Sequence, residues 1–355
     1  MALSDAAQQA WPPFVLVCGL LLVGRVVHSD GLFAGAGGLL ERLPGPPVAL
    51  FAGGLVLVAG VTAVLNLDTA VVFLTPVLVL AARARGVDEQ PFLYASVYVA
   101  NASSLYLPGS NLTNLLVLAH DPLPGGAFAA RLVVPALTAS VVTSLGVWLL
   151  FRPRLRGRVP RTPRPADTPP NAARWVGLSA VIAAAVLTLA LTHPALPVLA
   201  VGVTAVALQC ARGRIDPRDV RRSIALGTLT LLFVASVVLG VIARAWDGPA
   251  NLLAGAGRWE TAVIGALGSV GLNNLPATVL LSAQTLPHPR ALLIGLNLGP
   301  NLAVTGSLSA YLWFRAARQV DAEPSIGAFS RRGVVLAPLA IAAALLASSA
   351  FNTAN

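Results

Sequence analysis

The sequence predicts an all-α polytopic membrane protein built from two inverted-topology repeats, with re-entrant hairpins and interrupted transmembrane helices. Three observations lead there. Of 355 residues, 56% are hydrophobic and 11% are charged, less than half the ~25% charge of a soluble domain. Apolar runs of helix length follow one another along the whole chain. Segments of the first half recur in the second half in the same order. The composition excludes an ordinary cytosolic enzyme, and at roughly 30 residues per crossing plus loop it allows about ten to twelve passes.

Apolar runs read as helices at 11–29, 47–65, 68–84, 91–119, 127–151, 175–193, 194–211, 222–245, 260–272, 275–287, 290–316 and 332–351. Met1 to Gln9 carry no positive charge, so the n-region of a secretory signal is missing and the first run is expected to stay in the mature protein. The runs 47–65 and 68–84 are parted by Asn66-Leu67-Asp68-Thr69, and 260–272 and 275–287 by Asn273-Asn274-Leu275-Pro276; each pair reads as a re-entrant hairpin. The run 91–119 is broken by Pro108-Gly109-Ser110-Asn111-Leu112-Thr113-Asn114, and 290–316 by Gly299-Pro300-Asn301 and Thr305-Gly306-Ser307. The count becomes eight crossings and two hairpins. Residues 152–174, with seven arginines among prolines, are too Pro-rich for a helix and too polar for the bilayer, so they read as a cytoplasmic linker. The domain plan is repeat 1 at 11–151, the linker at 152–174 and repeat 2 at 175–355. The helix pair at 175–211 has no match before residue 11, so repeat 1 is expected to lack leading helices.

The net charge of +10 comes from 24 cations and 14 acids, and every cation is Arg. A basic chain often indicates nucleic acid, but that needs the charge on one soluble face. Here it is scattered between apolar runs. Threading from a cytoplasmic linker puts nineteen of the 24 arginines inside, as the positive-inside rule asks. The partners expected are membrane lipid and a small solute, with no nucleic acid. Cys18 and Cys210 lie in apolar runs; two thiols form neither a disulfide framework nor a metal cluster, and they read as small buried side chains rather than soft ligands. The histidines lie at helix ends without metal-ligand spacing. Arg25 and Arg244, near the ends of paired helices, read as snorkelling. With no nucleophile motif, phosphate loop or paired acid–base carboxylates, the chain calls for no cofactor and no enzyme activity.

The echoes are specific. LLLVGRVVHSDGLF resembles SVVLGVIARAWDGPANLL, VLNLDTAVVFLTP at 64–76 resembles GLNNLPATVLLSA at 271–283, and LPGSNLTNLL at 107–116 resembles LGPNLAVTGSL at 298–308. The threading gives the halves opposite direction. Inverted repeats with broken helices are the signature of secondary transporters, with the solute site where the breaks meet. Broken backbone at membrane depth is tolerated only where it is buried in protein or lines a wet cavity. Asn, Ser and Thr there can replace a solute's hydration shell. The candidate solute and ion ligands are Asn66, Asp68, Thr69, Ser110, Asn111, Thr113, Asn114, Asn273, Asn274, Asn297, Asn301, Thr305 and Ser307. Asp68 is the principal acid in the path, and an intramembrane carboxylate is by default a proton or ion site; it is the candidate for proton coupling.

At SDGLF (29–33), LDTAVVFLTP (67–76), NASSLYLPGSNLTNLLV (101–117), LNNLPATVL (272–280) and LNLGPNLAVTGSLSAYLW (296–313) the sequence resembles the arsenical pump membrane protein family, arsenite efflux permeases of the ion transporter superfamily. The resemblance runs from about residue 11 to the end. It implies an elevator-type fold in the bacterial cytoplasmic membrane and export of arsenite and antimonite in exchange for protons. It also admits a homodimer and, in some members, a soluble ATPase subunit. Superfamily relatives carry dicarboxylates with sodium, so a sodium- or proton-coupled di- or tricarboxylate permease is the alternative. Two departures concern the site: Leu67 separates Asn66 from the acid of the first tip, and Asn297 and Asn301 stand where many members have an acid and a base.

Overall fold

A computed structural model describes residues 2–118, 123–157, 174–218, 220 and 226–350. Every regular element described is helical. The helices are α1 (Ala2–Ser29), α2 (Leu32–Arg42), α3 (Pro47–Val64), α4 (Leu67–Ala84), α5 (Gln90–Ser103), α6 (Leu112–Leu118), α7 (Gly125–Arg156), α8 (Arg174–Ala190), α9 (Ala195–Ala211), α10 (Leu226–Ala245), α11 (Gly248–Ala254), α12 (Arg258–Leu272), α13 (Asn274–Leu281), α14 (Pro289–Leu298), α15 (Leu308–Arg318) and α16 (Ile326–Ala350). Short 3-10 turns at Pro108–Ser110, Gly299–Asn301 and Val304–Gly306 fill the breaks.

Five of these helices are long and apolar enough to cross a membrane, and α10 with α11 forms a further apolar pair bent by 69°. Their outward faces stay apolar: Leu145 and Leu149 on α7, Ile182 and Val186 on α8, and Leu339 and Leu346 on α16 are all exposed. On a soluble protein such a girdle would drive aggregation; in a bilayer it is the expected lipid contact.

The element order repeats. The sequence α1–α2, hairpin α3–α4, broken helix α5/α6, α7 is followed by α10–α11, hairpin α12–α13, broken helix α14/α15, α16. The two sets interlock crosswise. Helix α4 of the first hairpin packs on α15, α13 of the second hairpin packs on α6, α1 packs on α10, and α7 packs on α16. This reciprocal exchange is what a pseudo-twofold relation between repeats produces. The pair α8–α9 stands outside the correspondence and packs on α1.

Glycine permits two of the closest approaches. A Cβ on Gly295 would lie 2.1 Å from the Ala262 carbonyl oxygen, and one on Gly299 would lie 2.6 Å from Ala266 Cα, so a small-xxx-small pair, Gly295 on α14 and Gly299 just past its end, seats α12. The same device joins α1 to α9. A Cβ on Gly202 would lie 2.7 Å from the Gly19 carbonyl oxygen, and one on Gly19 would lie 2.7 Å from the Leu199 nitrogen. Where α1 ends, the buried Asp30 carboxylate accepts the Gly177 N–H at 2.7 Å and a bond from the Gln209 side chain. It thereby caps the free N-terminus of α8 and ties it to α9. Burial raises the Asp30 carboxyl above the ordinary carboxylate range, against the pull of the Gly177 N–H and of Arg214 and Arg212.

Several expectations are corrected. The first helix begins at Ala2, carrying Pro12 and Pro13 inside it. The helical segments α2 and α11 follow Asp30-Gly31 and Asp247 where no helix was expected. The expected linker is helical over 152–156, because α7 continues through Pro153 to Arg156; a lone proline near a helix end forfeits little, and the arginines there face the negative end of the dipole. The rest of the linker, 158–173, lies outside the described residues, as do His120, Arg221, Arg222 and the start of the 222–245 run. Arg244 does not simply snorkel: it donates to the Gly240 carbonyl at 2.9 Å and to the Gln9 side chain of α1. The hairpins also differ in reach. At 1.5 Å per residue the 15- and 8-residue arms of α12–α13 are roughly 22 and 12 Å long, too short to span. Each 18-residue arm of α3–α4 is roughly 27 Å, long enough to cross.

Candidate functional site

Each hairpin tip is an asparagine-capped helix start. Asn66 has extended backbone, and its Oδ1 accepts the Thr69 N–H at 2.7 Å. Asn273 occupies the matching place before α13 and accepts the Leu275 N–H at 3.4 Å. Its φ of 79° and ψ of 148° form a strained combination for a residue with a side chain. Asn273 Nδ2 donates to the Thr305 carbonyl at 3.1 Å, which helps hold that turn.

Each hairpin is latched to the break in its own repeat by a hydroxyl. Ser110 donates to the Ala63 carbonyl at 2.9 Å, and Thr305 donates to the Val270 carbonyl at 2.9 Å. Ala63 and Val270 are matching residues in the last turn of each hairpin's first arm, where carbonyls lack an intrahelical partner.

The two breaks share one backbone course. Leu107 and Ala303 are extended, a 3-10 turn follows each, and Asn111 and Ser307 are extended residues before the next helix. This register differs by five residues from the sequence echo of 107–116 with 298–308, which keyed on the Gly-Pro pair of Gly299-Pro300-Asn301; the first break has Ser103-Ser104 at that place, in a turn closed by Tyr106 N–H on the Ser103 carbonyl as Leu302 N–H closes on Gly299. In the structural register Asn101 matches Asn297.

Between the breaks lies a buried amide lattice joining the repeats. Asn297 Nδ2 donates to Asn114 Oδ1 at 2.8 Å and to the Leu293 carbonyl at 2.8 Å. Its Oδ1 accepts from Asn111 Nδ2 at 2.7 Å and Ser104 Oγ at 2.6 Å. Asn114 Nδ2 donates to the Ser104 and Leu107 carbonyls. Asn101 Nδ2 donates to Asn301 Oδ1 at 2.8 Å, and Asn301 Nδ2 donates to the Tyr98 carbonyl. Asn297 thus has all four of its amide positions filled by protein.

Unfilled capacity remains at Asn101 Oδ1 in the lattice, which is buried without a partner, and in greater number at the first tip. Thr62 Oγ1, Asn66 Nδ2 and Thr69 Oγ1 are buried without a partner. Asp68, beside them in the first turn of α4, accepts a 2.6 Å hydrogen bond from Ser309 Oγ in the first turn of α15. A carboxylate at the first turns of two helices is favoured by both dipoles. The second tip is more open: Leu272 and Thr305 are exposed, whereas Asn66, Thr69 and Ser110 are not.

Of the sequence candidates, Asn111, Asn114, Asn297 and Asn301 come together in the lattice, and Asn66, Asp68 and Thr69 at the first tip. Asn273 and Thr305 meet at the second tip, and Ser110 serves as a latch. Thr113 donates its N–H to Asn111, Ser307 accepts the Ala310 N–H, and Asn274 is buried with its carbonyl bonded to Thr278. Sequence reading missed Asn101, Ser104, Ser309 and Thr62. Asn101 and Ser104 lie inside the quoted NASSLYLPGSNLTNLLV motif, and correct register would have found Asn101. Cys18 and Cys210 are half-buried and far apart. Gly19 sits level with Leu199 while Asp30 meets Gln209, so about eleven residues of helix, roughly 16 Å, part the thiols. Among the described residues no three His, Cys, Asp or Glu side chains converge as a metal site.

Two interlocked repeats with latched hairpins and broken helices around a half-buried carboxylate define a multi-pass membrane transporter of small solutes. Residues 4–310 match the CitMHS family, described as citrate transporter. The chain belongs to that family. It is 25% identical to the arsenical pump membrane protein of Escherichia coli K12 over 92% of this chain and 83% of that one. The arsenical pump membrane protein of Yersinia enterocolitica gives the same identity and coverage. The fold also resembles the crystal structure of the Alcanivorax borkumensis YdaH transporter, with a TM-score of 0.67 and 17% identity, covering 100% of this chain and 88% of that one.

Proposed function

We propose that the protein exports arsenite, and antimonite with it, across the cytoplasmic membrane in exchange for protons. The observation that carries this reading is the first tip. A single carboxylate, Asp68, is held by a hydroxyl from the opposite repeat beside buried, unpartnered hydroxyl and amide atoms. Arsenite near neutral pH is mostly the uncharged trihydroxide, whose hydroxyls both donate and accept. Hydroxyl and amide groups suit such a solute, and Asp68 supplies one group able to load and release a proton. The names of the arsenical pump relatives support the same substrate. In this reading Asn66, Thr69 and the second tip contact solute, Asp68 carries the proton, and the amide lattice keeps the breaks in register. A homodimer and a soluble ATPase subunit belong to the proposal through the resemblance alone; pull-down with a co-expressed ATPase tests the latter.

The family description favours a second reading, a di- or tricarboxylate permease. Two helix N-termini at the site could hold an anion. Against it, no arginine falls within the four broken segments, and Asp68 would repel a carboxylate. Uptake into everted vesicles separates the two. Arsenite accumulation driven by an imposed proton gradient supports export by exchange; sodium-driven citrate or succinate uptake without arsenite uptake refutes it.

A further inference from the structure

We propose that Ser309 is a positioning residue that sets the proton affinity of Asp68 and makes the second repeat sense its charge. The inference rests on the reading of Asp68 as the proton site. Asp68 belongs to the first hairpin and Ser309 to the broken helix of the other repeat, two residues after the cap Ser307. The 2.6 Å bond between them crosses the junction along which α4 packs on α15. Ser309 is 2% exposed, so its hydroxyl has no water to turn to. Among the described residues it is the hydrogen-bond partner of Asp68; α1 carries Arg25 and His28 alongside Thr69 and Phe73 of α4, and neither is among the groups that act on the Asp68 carboxyl.

Chemistry gives this contact a direction. A charged carboxylate only accepts, so while Asp68 is ionised Ser309 must donate to it. Once Asp68 holds a proton, the carboxyl can itself donate and Ser309 is released to rotate or accept. The hydroxyl lies in the first turn of α15, directly after the break at Val304–Gly306, whose Thr305 latches the second hairpin to Val270. One proton at the first tip therefore changes the bond that fastens the second repeat's broken helix to the first hairpin.

The test reads the carboxyl itself, without solute. Dicyclohexylcarbodiimide modifies protonated carboxyls in apolar surroundings, so labelling of Asp68 in the purified full-length protein is followed by mass spectrometry against pH, with Asp68→Asn as the blank. Loss of one strong donor to a carboxylate is expected to move the labelling midpoint in Ser309→Ala to higher pH by about one unit. Ser309→Cys, nearly isosteric and a weaker donor, moves it the same way by less and covers failure of the alanine variant to fold. Ser309→Thr, which keeps the hydroxyl, restores the wild-type midpoint. An unmoved midpoint in both the alanine and cysteine variants overturns the proposal, as does a threonine shift equal to that of alanine. Absence of Asp68 labelling at any pH refutes instead the proton-site reading beneath it.

Discussion

Asn297→Ala is the sharpest probe of how the two repeats are held together. The side chain contributes two donors and one doubly used acceptor at 0% exposure. Its removal leaves Asn114 Oδ1 without its donor and Asn111 Nδ2 with only a 3.5 Å contact to Ser104. Ser104 can turn its one hydroxyl proton from Asn297 to the Asn101 carbonyl 2.8 Å away, so it is not counted. Two stranded buried groups at about 1–3 kcal/mol each give roughly 2–6 kcal/mol of lost stability. For a chain of 355 residues that corresponds to a fall in Tm of about 3–8 °C. The assay is thermal unfolding of the purified protein in detergent, followed by intrinsic tryptophan fluorescence. A wild-type Tm combined with a raised KM for the transported solute would refute the argument, because it would make Asn297 a solute ligand rather than the junction between repeats.

Three further outcomes follow from packing and capping. Gly295→Ala should lower Tm, since its Cβ would press on the Ala262 carbonyl and force α12 from α14, a strain of about 1–3 kcal/mol; Gly271→Ala, on α12 itself but facing open space, should raise stability by about 0.5–1 kcal/mol. Asp30→Ala strands the Gly177 N–H and the Gln209 amide and should cost about 2–4 kcal/mol, whereas Asp30→Asn can still accept from Gly177 and offer a donor to the unpartnered Gln209 Oε1, so its Tm should stay near wild type; both are read by the same unfolding assay. Ser110→Ala and Thr305→Ala each remove one hairpin latch, and hydrogen exchange at 60–66 and 268–273 respectively should accelerate by about five- to tenfold, as the loss of roughly 1 kcal/mol predicts.

The parts of this architecture legible from sequence are those written in polarity. Asn66-Leu67-Asp68 and Asn273-Asn274 interrupt apolar runs, so the hairpin tips and their equivalence could be read directly. The same holds for the breaks at Pro108-Gly109 and Gly299-Pro300. Tertiary geometry was not legible. The register of the second break depends on which residues become extended, and a Gly-Pro pair whose place is taken by Ser103-Ser104 in the first break drew the match five residues off. The partition of the asparagines was equally hidden, because Asn297 and Asn66 look alike in sequence. One has every amide position filled, three of the four from the opposite repeat, and the other keeps a buried donor unpartnered. Ser309 was passed over because a single serine in an apolar helix carries no pattern. Its meaning comes only from the carboxylate that the other repeat sets against it.

The central claim is that Asp68 couples solute movement to protons, and one measurement addresses it directly. Everted vesicles carrying wild-type or Asp68→Asn protein at matched levels are loaded for arsenite exchange at equal pH and, separately, given an inward-acid proton gradient. The account predicts that the variant keeps solute exchange down its own gradient and loses proton-driven accumulation. Full proton-driven accumulation by Asp68→Asn would contradict it.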